Sequence, residues 1–249
     1  MTQTALSSLD GLRVAVTGGT SGLGLALVET LRGLGAEVAF VARSADRVAE
    51  VADRYPGTHG IAGDISRKDE TYPIAMRITA ALGGLDVLIN NASSLGPVPL
   101  ALLADTECED LETALATNLV GPFRLTKALL GALGSSARAG RPALVINIIS
   151  DAAVTPYAGW GAYGASKAAL HQLSRIWQEE LAAQNVRFLS LDPGDMDTPL
   201  HALAVPDADP RALKRPADSA REIVELIEAH ARERTHRSES RRHPDPAPA

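Results

Sequence analysis

The chain has 249 residues, 45% of them hydrophobic and 22% charged, with a formal net charge of -6. That balance supplies a substantial core and excludes a chain disordered throughout, while its negative sign argues against nucleic acid or an anionic membrane surface as partner. Neither a basic, apolar leader nor a run approaching the roughly 20 apolar residues that span a bilayer is visible, so a cytoplasmic location is expected.

The first apolar run, "LRVAVT" (12–17), predicts a strand, and "TGGTSGLG" (17–24) turns from it into a helix over 22–33. Gly18, Gly22 and Gly24 let the backbone turn tightly and approach a ligand, and a helix N-terminus offers free N–H groups. With Thr20, Ser21 and Leu23 they form a candidate pyrophosphate cradle; glycines in such a position are also consistent with a plain turn. The second strand, "EVAFVA" (37–42), ends at Ala42, where an acid would receive a ribose 2′-hydroxyl. Arg43 follows instead, with Ser44 opening a helix over 44–54, which favours NADP(H) over NAD(H). The competing reading makes Arg43 a surface residue at a helix start.

"HGIAGDI" (59–65) supplies a weaker strand before a helix over 67–82, and "LDVLINNA" (85–92) a fourth strand before a long helix over 106–133. Cys108, the single cysteine, lies in the acidic "DTECEDLE", which disfavours a reactive thiolate. "GSSARAGRPA" (134–143) reads as a polar loop, "ALVINIIS" (143–150) as a strand, and a helix over 163–183 leads to the strand "VRFLSLD" (186–192). The proline-punctuated segment 201–219 has the character of a lid beside a site. A last helix over 218–232 passes at His230 into a polar, proline-ending tail, expected to be solvated and mobile.

Nearly continuous apolarity along these strands means cover on both faces, hence parallel strands between helices. The alternation predicts a doubly wound α/β (Rossmann) sheet of six or seven strands in three layers, one domain over 1–229 with a tail over 230–249. The histidines have no Cys or carboxylate at ligand spacing, so no metal is expected.

"YGASK" (163–167) puts Tyr163 and Lys167 on one face of a helix, four residues apart. A cation about 5 Å from the phenol, at an effective dielectric near 20, favours phenolate by roughly 3 kcal/mol, which brings the tyrosine to about 8. Alone, such a pair is more simply a surface contact.

Together the motifs resemble the short-chain dehydrogenase/reductase family in its compact, single-domain form. They are "TGGTSGLG", "NNAS" (90–93), Asn118 in "LATNLVGPF", Ser150 ending "NIIS", "YGASK" and "DPGDMDT" (192–198), spread over about Leu12 to Ile227. The resemblance implies that Ser150 hydrogen-bonds the substrate oxygen and Tyr163 is the general acid or base. It implies that Lys167 lowers the tyrosine pKa and holds the nicotinamide ribose, and that Asn118 holds a water behind the lysine. It also implies Asp64 and Ile65 at the adenine, Asn91 and Ala92 lining the nucleotide cleft, and Pro193, Gly194, Met196 and Thr198 at the carboxamide and phosphates. Ile149 stands where the family often has another serine, and no apolar strand follows the last helix, which weakens a tetramer. A homodimer through the helices at 106–133 and 163–183 is expected instead.

Ser94, Leu95, Asp151, Tyr157, Trp160, Asp195, Leu200 and His201 are candidates for the substrate pocket. Most suit an apolar or aromatic body; Asp151 and Asp195 either receive a polar or cationic group or face solvent. The implied activity is an NADP(H)-dependent carbonyl reductase or alcohol dehydrogenase acting on a small molecule. The alternative is a non-catalytic dinucleotide-binding redox sensor or scaffold, expected to have lost the tyrosine or lysine. An epimerase or dehydratase usually needs a larger C-terminal region.

Overall fold

Strand β1 (Arg13–Thr17) buries Val14 and Val16 on one face and Ala15 on the other, the two-sided burial that its unbroken apolar run implies. The computed structural model describes residues 9–242, with side chains through residue 233. The remaining strands are β2 (Glu37–Ala42), β3 (His59–Ala62), β4 (Val87–Asn90), β5 (Leu144–Ile148) and β6 (Arg187–Leu191). All neighbours pair in parallel, in the order β3-β2-β1-β4-β5-β6. The sheet has six strands, and no seventh follows among the described residues.

One face is covered by α1 (Gly22–Gly33), α2 (Ala45–Arg54) and, from the far end of the chain, α8 (Pro216–Arg242), through Leu27, Leu31, Val48, Val51, Ile223 and Ile227. The other is covered by α3 (Thr71–Leu82), α5 (Gly121–Arg138) and α6 (Gly161–Leu181), through Ile74, Ile78, Leu125, Leu129, Leu133 and Trp177. The short helices are α4 (Cys108–Leu115) and α7 (Pro199–Ala204).

Three expectations need correction. The helix expected over 106–133 is interrupted at Ala116–Val120 by a π turn, and α5 runs on to Arg138 through residues expected to be loop. Ser136 explains the extension: it is buried, and its hydroxyl donates to the Leu85 carbonyl at 2.7 Å and accepts from Arg13 at 2.8 Å. Tertiary bonds thus hold a polar stretch helical that local propensity would release. The tail does not begin at His230, because α8 continues to Arg242 and His230 is buried; the end of that expected tail, residues 243–249, lies outside the described residues. No helix among the described residues is long and apolar enough to cross a membrane.

The chain moves outward from β1 to β2 and β3, then returns to β4 on the other side. Adjacent loops therefore diverge at the C-terminal ends of β1 and β4, and a crevice opens there.

Candidate active site

Loops from the C-terminal edge of the sheet line one cleft of about 750 Å³. After β1 come Gly18, Thr20, Ser21, Gly22 and Leu23. Gly18 and Gly22 have φ of 72° and 51°, left-handed backbone that favours glycine. Gly24 lies beneath the wall rather than in it: a Cβ there would stand 2.1 Å from the Gly18 carbonyl oxygen. The missing side chain is what lets α1 close onto the loop, leaving a cradle bare enough for a pyrophosphate. Asn91 and Ala92 line the cleft, but the Asn91 amide braces this loop, donating to the Thr17 carbonyl at 2.9 Å, and Thr17 Oγ1 accepts from both their backbone N–H groups.

At the tip of β2, Arg43 and Ser44 line the wall, and Ser44 caps α2 by accepting from Arg47 N–H at 3.3 Å. Arg47, in the first turn of the helix that Ser44 caps, lines the cleft as well; the signal available in the sequence was a second arginine just inside the helix that follows Arg43. Among the described residues neither guanidinium forms an ion pair with a carboxylate. Asp64 and Ile65 follow β3, with Asp64 Oδ1 accepting from Ser66 N–H and Oγ–H. After β6 come Pro193, Gly194, Met196 and Thr198, the last capping α7 through a bond from His201 N–H at 3.2 Å. These residues fit a dinucleotide: a bare glycine cradle at its centre and uncompensated cations at one end.

At the other end Ser150 leaves β5 and Tyr163 and Lys167 project from the first turns of α6, all three lining the cleft. Lys167 Nζ donates to the Ile148 carbonyl at 2.8 Å and lies 5.5 Å from the Tyr163 ring centre. Burial pushes this lysine down to about 8. Burial likewise pushes the Tyr163 phenol up to about 12, opposed by the Ser150 and Ser93 hydroxyls and reinforced by the Asp192 and Asp151 carboxylates. The expected lowering to about 8 is therefore reversed. Desolvation of the phenol dominates, and the ammonium that was to offset it is itself desolvated and committed to a backbone carbonyl.

Asn118 sits behind the wall, fully buried in the π turn. Its Nδ2 donates to the Ser94 carbonyl at 2.7 Å and Ser166 Oγ at 2.8 Å, and its Oδ1 accepts from Ser94 N–H at 2.8 Å and Ser93 Oγ at 3.2 Å. That exhausts the amide, so any part Asn118 takes in a proton path falls to its main-chain carbonyl. The same clamp removes Ser94 from the wall, and Ser93 lines the cleft in its place. Neighbouring serines in "NNASS" differ by one residue in facing, and the sequence offers no signal for which is turned inward.

Leu95, Asp151, Tyr157, Trp160, Asp195, Leu200 and His201 all line the cleft. Leu95, Ala152 and Tyr163 form a buried cluster against Leu100, Trp160, Leu200 and Ala204, with Trp160 edge-on to Tyr163 at 5.7 Å. Asp151 receives two hydroxyls, Ser150 Oγ at 2.9 Å and Tyr157 at 2.6 Å. The segment expected as a lid contributes Leu203, Ala204 and Val205, and its neck is pinned where Lys214 N–H donates to the Asp195 carbonyl and Asp197 N–H to the Lys214 carbonyl. Among the described residues no group of His, Cys, Asp and Glu is placed to hold a metal ion.

The short chain dehydrogenase family model matches residues 13–209. A rhamnolipid-biosynthesis 3-oxoacyl-[acyl-carrier-protein] reductase of Pseudomonas aeruginosa is 35% identical over 86% of this chain and 82% of that protein. A 3-ketoacyl-(acyl-carrier-protein) reductase of Brucella melitensis, solved with NADH, superposes with a TM-score of 0.81 at 25% identity, covering 87% of this chain and 90% of that one. A short chain dehydrogenase of Shigella flexneri, solved with NADP, gives 0.79 at 26% identity over 86% and 90%.

Proposed function

Because this chain belongs to the short-chain dehydrogenase family, an oxidoreductase family that uses nicotinamide dinucleotides, we propose that it interconverts a small carbonyl compound and its alcohol with NADP(H). One observation carries the reading: Tyr163, Ser150 and Lys167 converge in a cleft whose far end holds two uncompensated arginines. Held between the glycine cradle and Lys167, a nicotinamide dinucleotide would supply the hydride chemistry at the carbonyl carbon in either direction.

The chain's own residues do the rest. Ser150, turning its one hydroxyl proton from Asp151 Oδ1 to the substrate, and Tyr163 hold the carbonyl oxygen between them, and Tyr163 delivers its proton as negative charge develops there. A phenol near 12 remains far more acidic than an alcohol, so that transfer runs downhill. Lys167, fixed by the Ile148 carbonyl, holds the nicotinamide ribose and supplies positive charge beside the phenol. Asn118 holds Ser93 beside the phenol and Ser94 behind the wall, and offers its main-chain carbonyl to the proton path.

Relatives solved with NADP and with NADH leave the cofactor preference to this chain's own cations. Arg43 and Arg47 together favour a 2′-phosphate. The apolar wall around Leu95, Trp160 and Leu200 favours a substrate with an apolar or aromatic body. We assign the assembly as a homodimer through α4, α5 and α6, where Ile176 is exposed; light scattering giving a monomer or a tetramer would overturn that.

The test follows NADPH and NADH consumption across aldehydes, ketones, diketones and quinones. Turnover should prefer NADPH, vanish in Tyr163→Phe, and lose its cofactor preference in Arg43→Ala combined with Arg47→Ala. Activity surviving in Tyr163→Phe would reject the mechanism. Silence across the panel, with dinucleotide still binding, would point to the sensor or scaffold.

A further inference from the structure

Charge is distributed unevenly along the cleft. Its arginines, Arg43 and Arg47, follow β2, while Ser150 and Asp151 follow β5, three strand positions away, a span of about 14 Å. At the reactive end the wall carries Asp151 and Asp195 with His201, and the nearby lysine is bonded to a backbone carbonyl. A carboxylate on the substrate would meet like charge there.

Asp151 differs from the other acids because it touches the reacting machinery. Its Oδ1 accepts from Ser150 Oγ at 2.9 Å and its Oδ2 from Tyr157 at 2.6 Å. A carboxylate accepts about four hydrogen bonds, so both oxygens keep lone pairs for a further donor, and the side chain is open to the cleft. A substrate hydroxyl donating to Ser150 Oγ, whose own proton stays on Asp151, stands within about 6 Å of Asp151 Oδ1, two hydrogen bonds end to end. An ammonium on the carbon next to the reacting one spans that gap, while its organic body lies against Leu95, Trp160 and Leu200.

We infer that Asp151 is a specificity-determining residue, and that the cleft selects amino alcohols and amino ketones, with a protonated amine beside the reacting carbon, over substrates bearing a carboxylate there. The hydroxyls that donate to Asp151 hold its carboxyl below the ordinary range, led by Tyr157, so it is ionised throughout the pH range of an assay. The inference rests on the oxidoreductase reading and narrows its substrate class.

Three alcohols share one aromatic body and differ in charge: 2-amino-1-phenylethanol, 1-phenyl-1-propanol and mandelate. Their oxidation is followed with NADP+ at pH 8, and their equilibrium binding to dinucleotide-loaded protein is read as a shift in Tm. The amine should exceed the neutral alcohol in kcat/KM by about tenfold and mandelate by more, through KM rather than kcat. Asp151→Asn should collapse the amine-to-neutral ratio to within about twofold, whatever the absolute rates. A wild-type ratio near one, or a ratio that Asp151→Asn leaves intact, would overturn the inference while leaving the oxidoreductase reading standing. If none of the three turns over, Tm shifts ordered amine, neutral, anion still support it and equal shifts reject it, whereas failure of the wider carbonyl panel counts only against the oxidoreductase reading.

Discussion

Tyr163 keeps its proton across the working pH range because burial pushes the phenol up to about 12, while burial pushes Lys167 beside it down to about 8. On the proposed mechanism reduction would use the protonated phenol and oxidation the phenolate, so the two directions should respond to pH differently. Reduction kcat/KM should be level from about pH 6 to 8 and fall above that, as the ammonium loses its charge. Oxidation kcat/KM should climb through the same window by up to tenfold per unit, following the phenolate fraction, and bend where the lysine titrates. Profiles in both directions check this; an oxidation profile flat from about pH 6 to 8 would mean that another group takes the proton. The spacing of Tyr163 and Lys167 was legible in the sequence, whereas the sign of the shift was not. It depends on how deeply the pair is buried and on Lys167 Nζ reaching the Ile148 carbonyl, a contact across 19 residues that no local pattern encodes.

The meeting of β1 and α1 was the most legible element, because glycine has a physical reason to stand at each close approach. A Cβ on Gly24 would meet the Gly18 carbonyl oxygen at 2.1 Å and Asn91 Nδ2 at 2.6 Å. The first is backbone, and it cannot move without displacing the cradle. Gly24→Ala should therefore lower dinucleotide affinity by about tenfold or more and reduce Tm, with fluorescence titration as the measure. The strands were equally readable, since two-sided burial writes itself as unbroken runs of Val, Ile and Leu. Elements governed by distant partners were not. Ser136 is polar and flanked by small residues, yet its bonds to Leu85 and Arg13 keep α5 helical. In the same way, Ser94 stands outside the cleft because a buried asparagine on another element holds its backbone.

Across the whole molecule the two edges of the sheet have opposite tasks. The C-terminal edge leaves its polar groups open to the cleft, and the N-terminal edge must close without a ligand. Asp86, wholly buried at the entry to β4, closes it by receiving Arg13 from β1 and Arg141 from the approach to β5, at 2.7 and 2.6 Å. Burial pushes the Asp86 carboxyl up, but the bonds from Arg141 and Arg13 outweigh it and hold the group well below the usual carboxylate range. Asp86 therefore binds a proton less readily in the folded chain than in the unfolded one. Its stabilisation is fully present above the unfolded value of about 4 and is lost as pH falls toward the depressed folded value. Asp86→Asn removes the anion that two partly exposed arginines share, and should cost roughly 1.5–3 kcal/mol at pH 7, the worth of hydrogen bonds to a charged group whose partners can turn to solvent. Because the wild type forfeits the same contribution in acid, the gap between the two proteins should narrow steadily below about pH 4. Chemical denaturation of both across that range tests the account, and a gap that stays constant into acid would show that the carboxylate charge does not hold this edge together.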